Sequence, residues 1–196
     1  MHRNQQHHEE NNSTLDSSQV EGARVKDYAP DLAQDIKDNL TIEKETTRLI
    51  ACDDDPINNR IIKRRLKDID VVLTANGQEA IDKLLEGEKF DLLLLDLMMP
   101  VCDGHECVKR IREYEQEGRS FKSNKEKRRL LVFAFSASIT PTDLDKLKSQ
   151  GFDGFFLKPL HFATLNSIIE SISNDEDLDK FKYKDGKRFE KGGLID

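Results

Sequence analysis

The chain has 196 residues, with 31 Lys and Arg against 38 Asp and Glu and a net charge of −7, which suits one domain with a sizeable core plus flanking segments. The acidic excess sits at the N-terminus, where residues 1–46 carry 10 acidic and 5 basic side chains; the near-neutral centre argues against broad binding to nucleic acid or anionic membrane. There is no run of 18 apolar residues and no apolar signal core, so the sequence predicts a soluble intracellular chain.

Residues 1–29 are rich in Asn, Gln, Ser, His and Glu without periodicity and read as disordered. His2, His7 and His8 belong to this solvated tail. Leu32, Ile36 and Leu40, four residues apart behind Pro30, predict a short helix between Asp31 and Glu45. Together these form an acidic segment over 1–46, and the folded domain is expected over 47–173.

Leu49-Ile50-Ala51-Cys52 predicts a strand that runs into Asp53-Asp54-Asp55-Pro56. The helix that follows places Ile57, Ile61, Ile62 and Leu66 on one face and Arg60, Lys63, Arg64 and Lys67 on the other. Val71–Thr74 is a second strand. Asn76 with Glu79 three residues on is a capping-box pattern, opening a helix with Ala80, Ile81, Leu84 and Leu85 inside. Leu92–Leu95 is an unbroken apolar run ending in Asp96, as expected of a strand buried on both faces of a parallel sheet. A third helix starts near Gly104 and buries Val108 and Ile111.

Residues 115–129 are polar and increasingly basic and read as an enlarged, solvated loop. Lys125–Arg129 also fits a docking or nuclear-import patch. Leu130–Phe135 is a fourth strand ending in Ser136, and Thr140 with Pro141 opens a fourth helix. Gly154–Leu157 is a fifth strand leading into Lys158-Pro159. Phe162, Leu165, Ile168, Ile169 and Ile172 line a last helix. Residues 174–196 read as a charged, disordered tail. Of the three cysteines, Cys52 packs within its strand, while Cys102 and Cys107 lack metal or redox spacing and read as reduced thiols. Strands alternating with helices five times over predict an α/β, doubly wound parallel sheet.

A parallel sheet brings the strand ends to one edge, where ligands of such sheets bind. Here that edge collects Asp53 and Asp54, Asp96, Ser136 and Lys158. Two like charges 4 Å apart repel by about 1 kcal/mol in water and about 4 kcal/mol near a protein surface. Lys158 offsets one of three carboxylates, and a divalent cation would neutralise the rest. Oxygen-only ligands favour Mg²⁺. An acidic pocket holding Mg²⁺, a lysine and a hydroxyl suits phosphoryl transfer to a carboxylate.

On these residues, residues 48–173 resemble the receiver domain of two-component response regulators. The likeness rests on Asp53-Asp54, on Asp96-Leu97-Met98-Met99-Pro100 with Asp103-Gly104, on Ser136-Ala137 and on Lys158-Pro159. The outline is similar to that of fungal stress response regulators. The resemblance implies a flavodoxin-like, three-layer fold with five strands and five helices. It implies that Asp96 is the phosphoacceptor, and that Asp54, Asp53 and Asp96 hold Mg²⁺ with the backbone carbonyl of Met98. Ser136 would bind a phosphoryl oxygen, Lys158 would pair with the charge, and Ser136 and Phe155 would form the switch. The Lys158–Pro159 bond is expected to be cis.

The implied function is that of a phosphorelay receiver. It takes phosphate from a histidine phosphotransfer protein or histidine kinase, signals to a downstream protein, and has only self-phosphorylation and self-dephosphorylation chemistry. The implied setting is cytoplasmic or also nuclear, and no direct contact to nucleic acid or membrane is expected. A receiver module of a hybrid histidine kinase is the alternative. An aspartate-nucleophile phosphohydrolase needs a second Asp two residues on, where Met98 stands, and an interaction module without phosphate chemistry does not need the full set Asp54, Asp96, Ser136 and Lys158.

Overall fold

A computed structural model describes residues 46–121, 129–184 and 189–196. The expected N-terminal helix, the tail histidines and residues 122–128 of the basic loop lie outside those residues. Five parallel strands form the sheet: β1 (Arg48–Cys52), β2 (Asp70–Thr74), β3 (Leu92–Asp96), β4 (Leu131–Ser136) and β5 (Gly154–Leu157). Their spatial order is β2-β1-β3-β4-β5. Five helices accompany them: α1 (Pro56–Arg65), α2 (Gly77–Leu85), α3 (Gly104–Gln116), α4 (Leu144–Gln150) and α5 (Phe162–Ser173). A 3₁₀ turn over Pro141–Asp143 leads into α4. This is the expected flavodoxin-like, doubly wound arrangement.

The period of two in each strand sends alternate residues to opposite faces. Ile50, Leu93, Leu95, Val132, Ala134 and Phe155 pack with Ala80, Ile81, Val108, Ile111 and Leu147 of α2, α3 and α4. Leu49, Ala51, Leu92, Leu94, Phe133 and Phe156 pack with Ile62, Leu165, Ile168 and Ile169 of α1 and α5. All four leucines from Leu92 to Leu95 are fully buried. Burying one leucine stabilises by about 1.5–3 kcal/mol, so β3 anchors both layers at once.

Polar caps start the helices at the carboxyl edge. Asp55 accepts from the Ile57 amide at 2.8 Å, with Pro56 at the first helical position of α1. Asn76 accepts from the Glu79 amide at 3.0 Å, and the Glu79 carboxylate reaches back to the Ala75 amide at 2.8 Å. Asp103 accepts from the Glu106 amide at 2.8 Å. Such caps satisfy N–H groups that a helix start leaves without partners.

Two expectations need correction. The C-terminal stretch is not a disordered tail in its described parts. It forms 3₁₀ turns at Asp179–Phe181 and Phe189–Lys191, then a short sixth strand, β6 (Gly193–Leu194), antiparallel to β5. The sheet therefore has six strands, the last outside the parallel set. The second correction concerns inward faces. Ile57 and Ile61 are 57% and 47% exposed, and Leu85 is 38% exposed. Ile62 and, at the C-terminal cap of α1, Leu66 are buried as expected, and the further inward position goes to Asn59. The Asn59 amide donates to the carbonyls of Asp53 at 2.8 Å and Thr74 at 3.0 Å, joining the ends of β1 and β2.

Candidate functional site

The registers align the strand ends. Cys52 stands opposite Leu95, Asp96 opposite Phe135 and Ser136 opposite Leu157. Asp53, Asp96, Ser136 and Lys158 thus meet at one edge, each just where its strand leaves the core.

Lys158 lies between two carboxylates. Its Nζ is 2.6 Å from Asp96 Oδ2 and 2.8 Å from Asp53 Oδ2. It also stands 5.0 Å from the Phe135 ring centroid, a cation–π contact. Burial works against the Lys158 charge, but the bonds to Asp53 and Asp96 outweigh it and hold the ammonium above its ordinary range. Asp53 is 1% exposed and also accepts from the Asp55 amide at 2.9 Å and from Asn58 Nδ2 at 3.1 Å. Asp96 is 4% exposed and accepts from the Met98 amide at 3.1 Å. Asp54 is exposed.

Carboxylate oxygens of Asp53, Asp54 and Asp96 all lie within 4.8 Å of one another. The donor set is purely oxygen, so it fits a hard divalent cation, and Lys158 does not neutralise all three charges.

The loop after β3 is tightly built. A Cβ on Gly104 would collide with the Asp96 carbonyl, and would lie 2.9 Å from Leu97 Cα. Only glycine lets α3 start this close to β3. The Cys102 amide donates to the Pro100 carbonyl at 2.8 Å, and the Gly77 amide to the Cys102 carbonyl at 3.0 Å. Val101 adopts φ 71°, a left-handed conformation unusual for a β-branched residue. Cys52, Cys102 and Cys107 are all free and buried. Burial pushes the Cys52 thiol up to about 12.

Ser136 is 5% exposed. Its carbonyl accepts from the Lys158 amide at 3.0 Å, and its Oγ from the Ser138 amide at 3.5 Å. It stands one residue beyond the register partner of Asp96. The Lys158–Pro159 bond is cis, as expected. Phe155 is opposite Ala134, so by strand alternation its ring shares a face with Ser136. It is fully buried, beneath Tyr183 and Phe189.

The sequence profile of the "Response regulator receiver domain" matches residues 49–170, more than half of the chain. The chain belongs to the response regulator receiver family. Receiver domains are signalling phosphoacceptors. This receiver is 30% identical over 129 residues to hybrid signal transduction histidine kinase K of Dictyostelium discoideum, covering 65% of the chain and 10% of that protein. It is 30% identical over 146 residues to the peroxide stress-activated histidine kinase mak1 of Schizosaccharomyces pombe, covering 72% of the chain and 8% of that protein. The chain thus spans about a tenth of the length of these relatives. Among solved structures it resembles the receiver domain of Saccharomyces cerevisiae Ssk1, crystallised with the histidine phosphotransfer protein Ypd1. That match has 25% identity and a TM-score of 0.59 and covers 68% of this chain and 94% of that one. Vibrio cholerae CheY4, at 24% identity and a TM-score of 0.52 over 65% of this chain and 98% of that one, shares the fold.

The receiver site also contains groups that sequence reasoning missed. Asn58 steadies Asp53 from the first turn of α1, and a polar residue five positions after an acidic pair was its only trace. Phe135 under Lys158 read simply as core. Tyr183 and Phe189 had no legible signal, because their role depends on reaching the β5 edge.

Proposed function

We propose that this receiver accepts a phosphoryl group on Asp96 from a phosphohistidine, on a histidine phosphotransfer protein or a histidine kinase, and passes the signal on by a change of conformation. The observation that carries this is the ion pair of Lys158 with Asp96 at 2.6 Å, beside the three-carboxylate cluster. Asp96 is the nucleophile. One of its carboxylate oxygens attacks phosphorus, an O–P bond forms and the P–N bond to the imidazole breaks, the bonding pair leaving on the imidazole nitrogen. The Met98 amide and Lys158 orient the carboxylate for that attack. Lys158 remains as the counter-charge once the acyl phosphate exists.

Asp53, Asp54 and Asp96, with the Met98 carbonyl, would hold Mg²⁺. The bound ion supplies Lewis-acid stabilisation of the phosphoryl oxygens. Ser136 is the hydroxyl placed to meet a phosphoryl oxygen, and its shared face with Phe155 supports a coupled movement of the two. The chemistry of the chain itself is then limited to taking the phosphoryl group and losing it to water. Ile57, Ile61, Met98 and Val101 are large, exposed and close in sequence to the acidic residues. They suit the apolar part of a donor's docking surface. Three free cysteines fit a reducing compartment, cytoplasm or nucleus.

The likeness to hybrid kinases supports a second setting, a receiver module acting next to its own kinase. The deciding experiment mixes the chain with a labelled, phosphorylated histidine phosphotransfer protein and Mg²⁺. Label is expected on Asp96, and label that persists in Asp96→Ala overturns the assignment.

A further inference from the structure

The described C-terminal residues wrap around the open edge of β5. Leu178 and Phe181 pack with the α1/α5 layer, whereas Tyr183, Phe189 and Ile195 pack with the α2/α3/α4 layer. The segment therefore crosses from one face of the sheet to the other. Its backbone is tied down where it crosses: the Tyr183 amide donates to the Leu194 carbonyl at 2.8 Å, and the Ile195 amide to the Asp153 carbonyl at 3.0 Å. Lys148 on α4 reaches the Asp196 carbonyl.

Its aromatic residues meet at Phe155. The Phe155 and Phe189 ring centroids are 4.8 Å apart, Phe155 and Tyr183 6.1 Å, and Tyr183 and Phe189 5.4 Å. The fit depends on glycine. A Cβ on Gly192, at φ 70°, would stand 2.5 Å from both the Phe155 carbonyl and Phe156 Cδ1. A Cβ on Gly154 would stand 2.6 Å from the Gly193 carbonyl. Backbone is laid directly on backbone.

We infer that residues 178–184 and 189–196 are a cis-acting latch on the β5 edge, bound to the unphosphorylated conformation and loosened when Asp96 is phosphorylated. This rests on the proposed role of Asp96. Phe155 is the ring against which Tyr183 and Phe189 both rest. A movement of Phe155 toward the end of β4 removes that support. The latch is held by a two-residue strand and a few side chains, so it belongs to the least stable, most easily displaced part of the molecule. Linkage is reciprocal: if phosphorylation loosens the latch, the latch opposes phosphorylation by the same factor.

The test uses the full chain. Amide exchange is followed by NMR with Mg²⁺, with and without beryllofluoride, while a small phosphodonor reports acceptor chemistry separately. The Tyr183 and Ile195 amides are expected to exchange at least about tenfold faster with beryllofluoride, a shift within the range of allosteric couplings. Phe189→Ala is expected to speed labelling of Asp96, and the milder Phe189→Leu to do so less. Unchanged exchange and unchanged labelling rates in a chain that does take label on Asp96 overturn the latch. A chain that takes no label on Asp96 overturns the acceptor assignment, and the coupling with it.

Discussion

Lys158 Nζ lies 2.6 Å from Asp96 Oδ2, on a carboxylate that is only 4% exposed. Asp53 shares the same ammonium at 2.8 Å, and both carboxylates are buried while the Lys158 side chain keeps 22% of its surface exposed. Breaking a buried pair by removing one partner typically costs about 3–5 kcal/mol.

Lys158→Met is therefore expected to destabilise the fold by about 3 kcal/mol near neutral pH without Mg²⁺. The lysine is held above its ordinary value of 10.5, so its contribution is complete below 10.5 and is lost as pH rises through the still higher folded value. Denaturant titrations of both proteins check this. Their stability difference should stay constant through neutral pH and shrink only above 10.5; equal stabilities at neutral pH count against the ion pair.

Asp54→Ala should weaken Mg²⁺ binding by at least about tenfold and leave the fold as stable or more so. It removes one of three crowded carboxylates, which relieves like-charge repulsion. Calorimetric titration with Mg²⁺ and a thermal melt of the same sample measure both effects. Unchanged affinity refutes the proposed coordination.

The chemistry at the edge was legible because buried strands end abruptly in polar groups. Four leucines before Asp96 mark where β3 leaves the core, and Gly154–Leu157 before Lys158 marks β5. Asn76 and Asp103 sit where helix starts require acceptors. The face of α1 was misread because Ile57 and Ile61 match a helical stripe, while the inward position goes to Asn59. Its amide is needed to join Asp53 and Thr74, and hydrophobicity carries no sign of that. The C-terminal segment was misread for a different reason. Leu178, Phe181, Tyr183, Phe189 and Ile195 are scattered among charges with neither a period of 2 nor of 3.6. Their order comes from a partner distant in sequence, the β5 edge.

Replacing Ile57 and Ile61 with serine should slow phosphotransfer from a histidine phosphotransfer protein by about tenfold or more, since 1.4 kcal/mol is a factor of ten and one buried isoleucine is worth at least that. Both side chains are exposed in the free chain, so folding should survive. Labelling by a small phosphodonor is the control and should not change. Equal loss with both donors would place the effect in the chemistry rather than in docking.

Val101→Gly should stabilise the protein. The left-handed backbone costs a β-branched residue about 1–2 kcal/mol, and the flexibility of glycine in the unfolded chain returns about 0.5–1 kcal/mol of that. Val101 is 85% exposed, so little packing is lost. A gain of about 0.5–1 kcal/mol corresponds to a rise of roughly 2–4 °C at most. A lower Tm means that the valine makes a contact worth more than the strain.

The cover on β5 has a consequence for solubility. A strand at the border of a sheet offers a row of bare N–H and C=O groups on which another chain can pair. With β6 in place, β2 is, among the described residues, the one border strand of the parallel set without a second partner strand, and it begins with the charged Asp70, itself bridged to Arg48. Lifting β6 uncovers a second border, flanked by the apolar rings of Phe155 and Phe156. Self-association should then grow with concentration, so a chain that stays open for long, with no partner to take the vacated border, is exposed to aggregation.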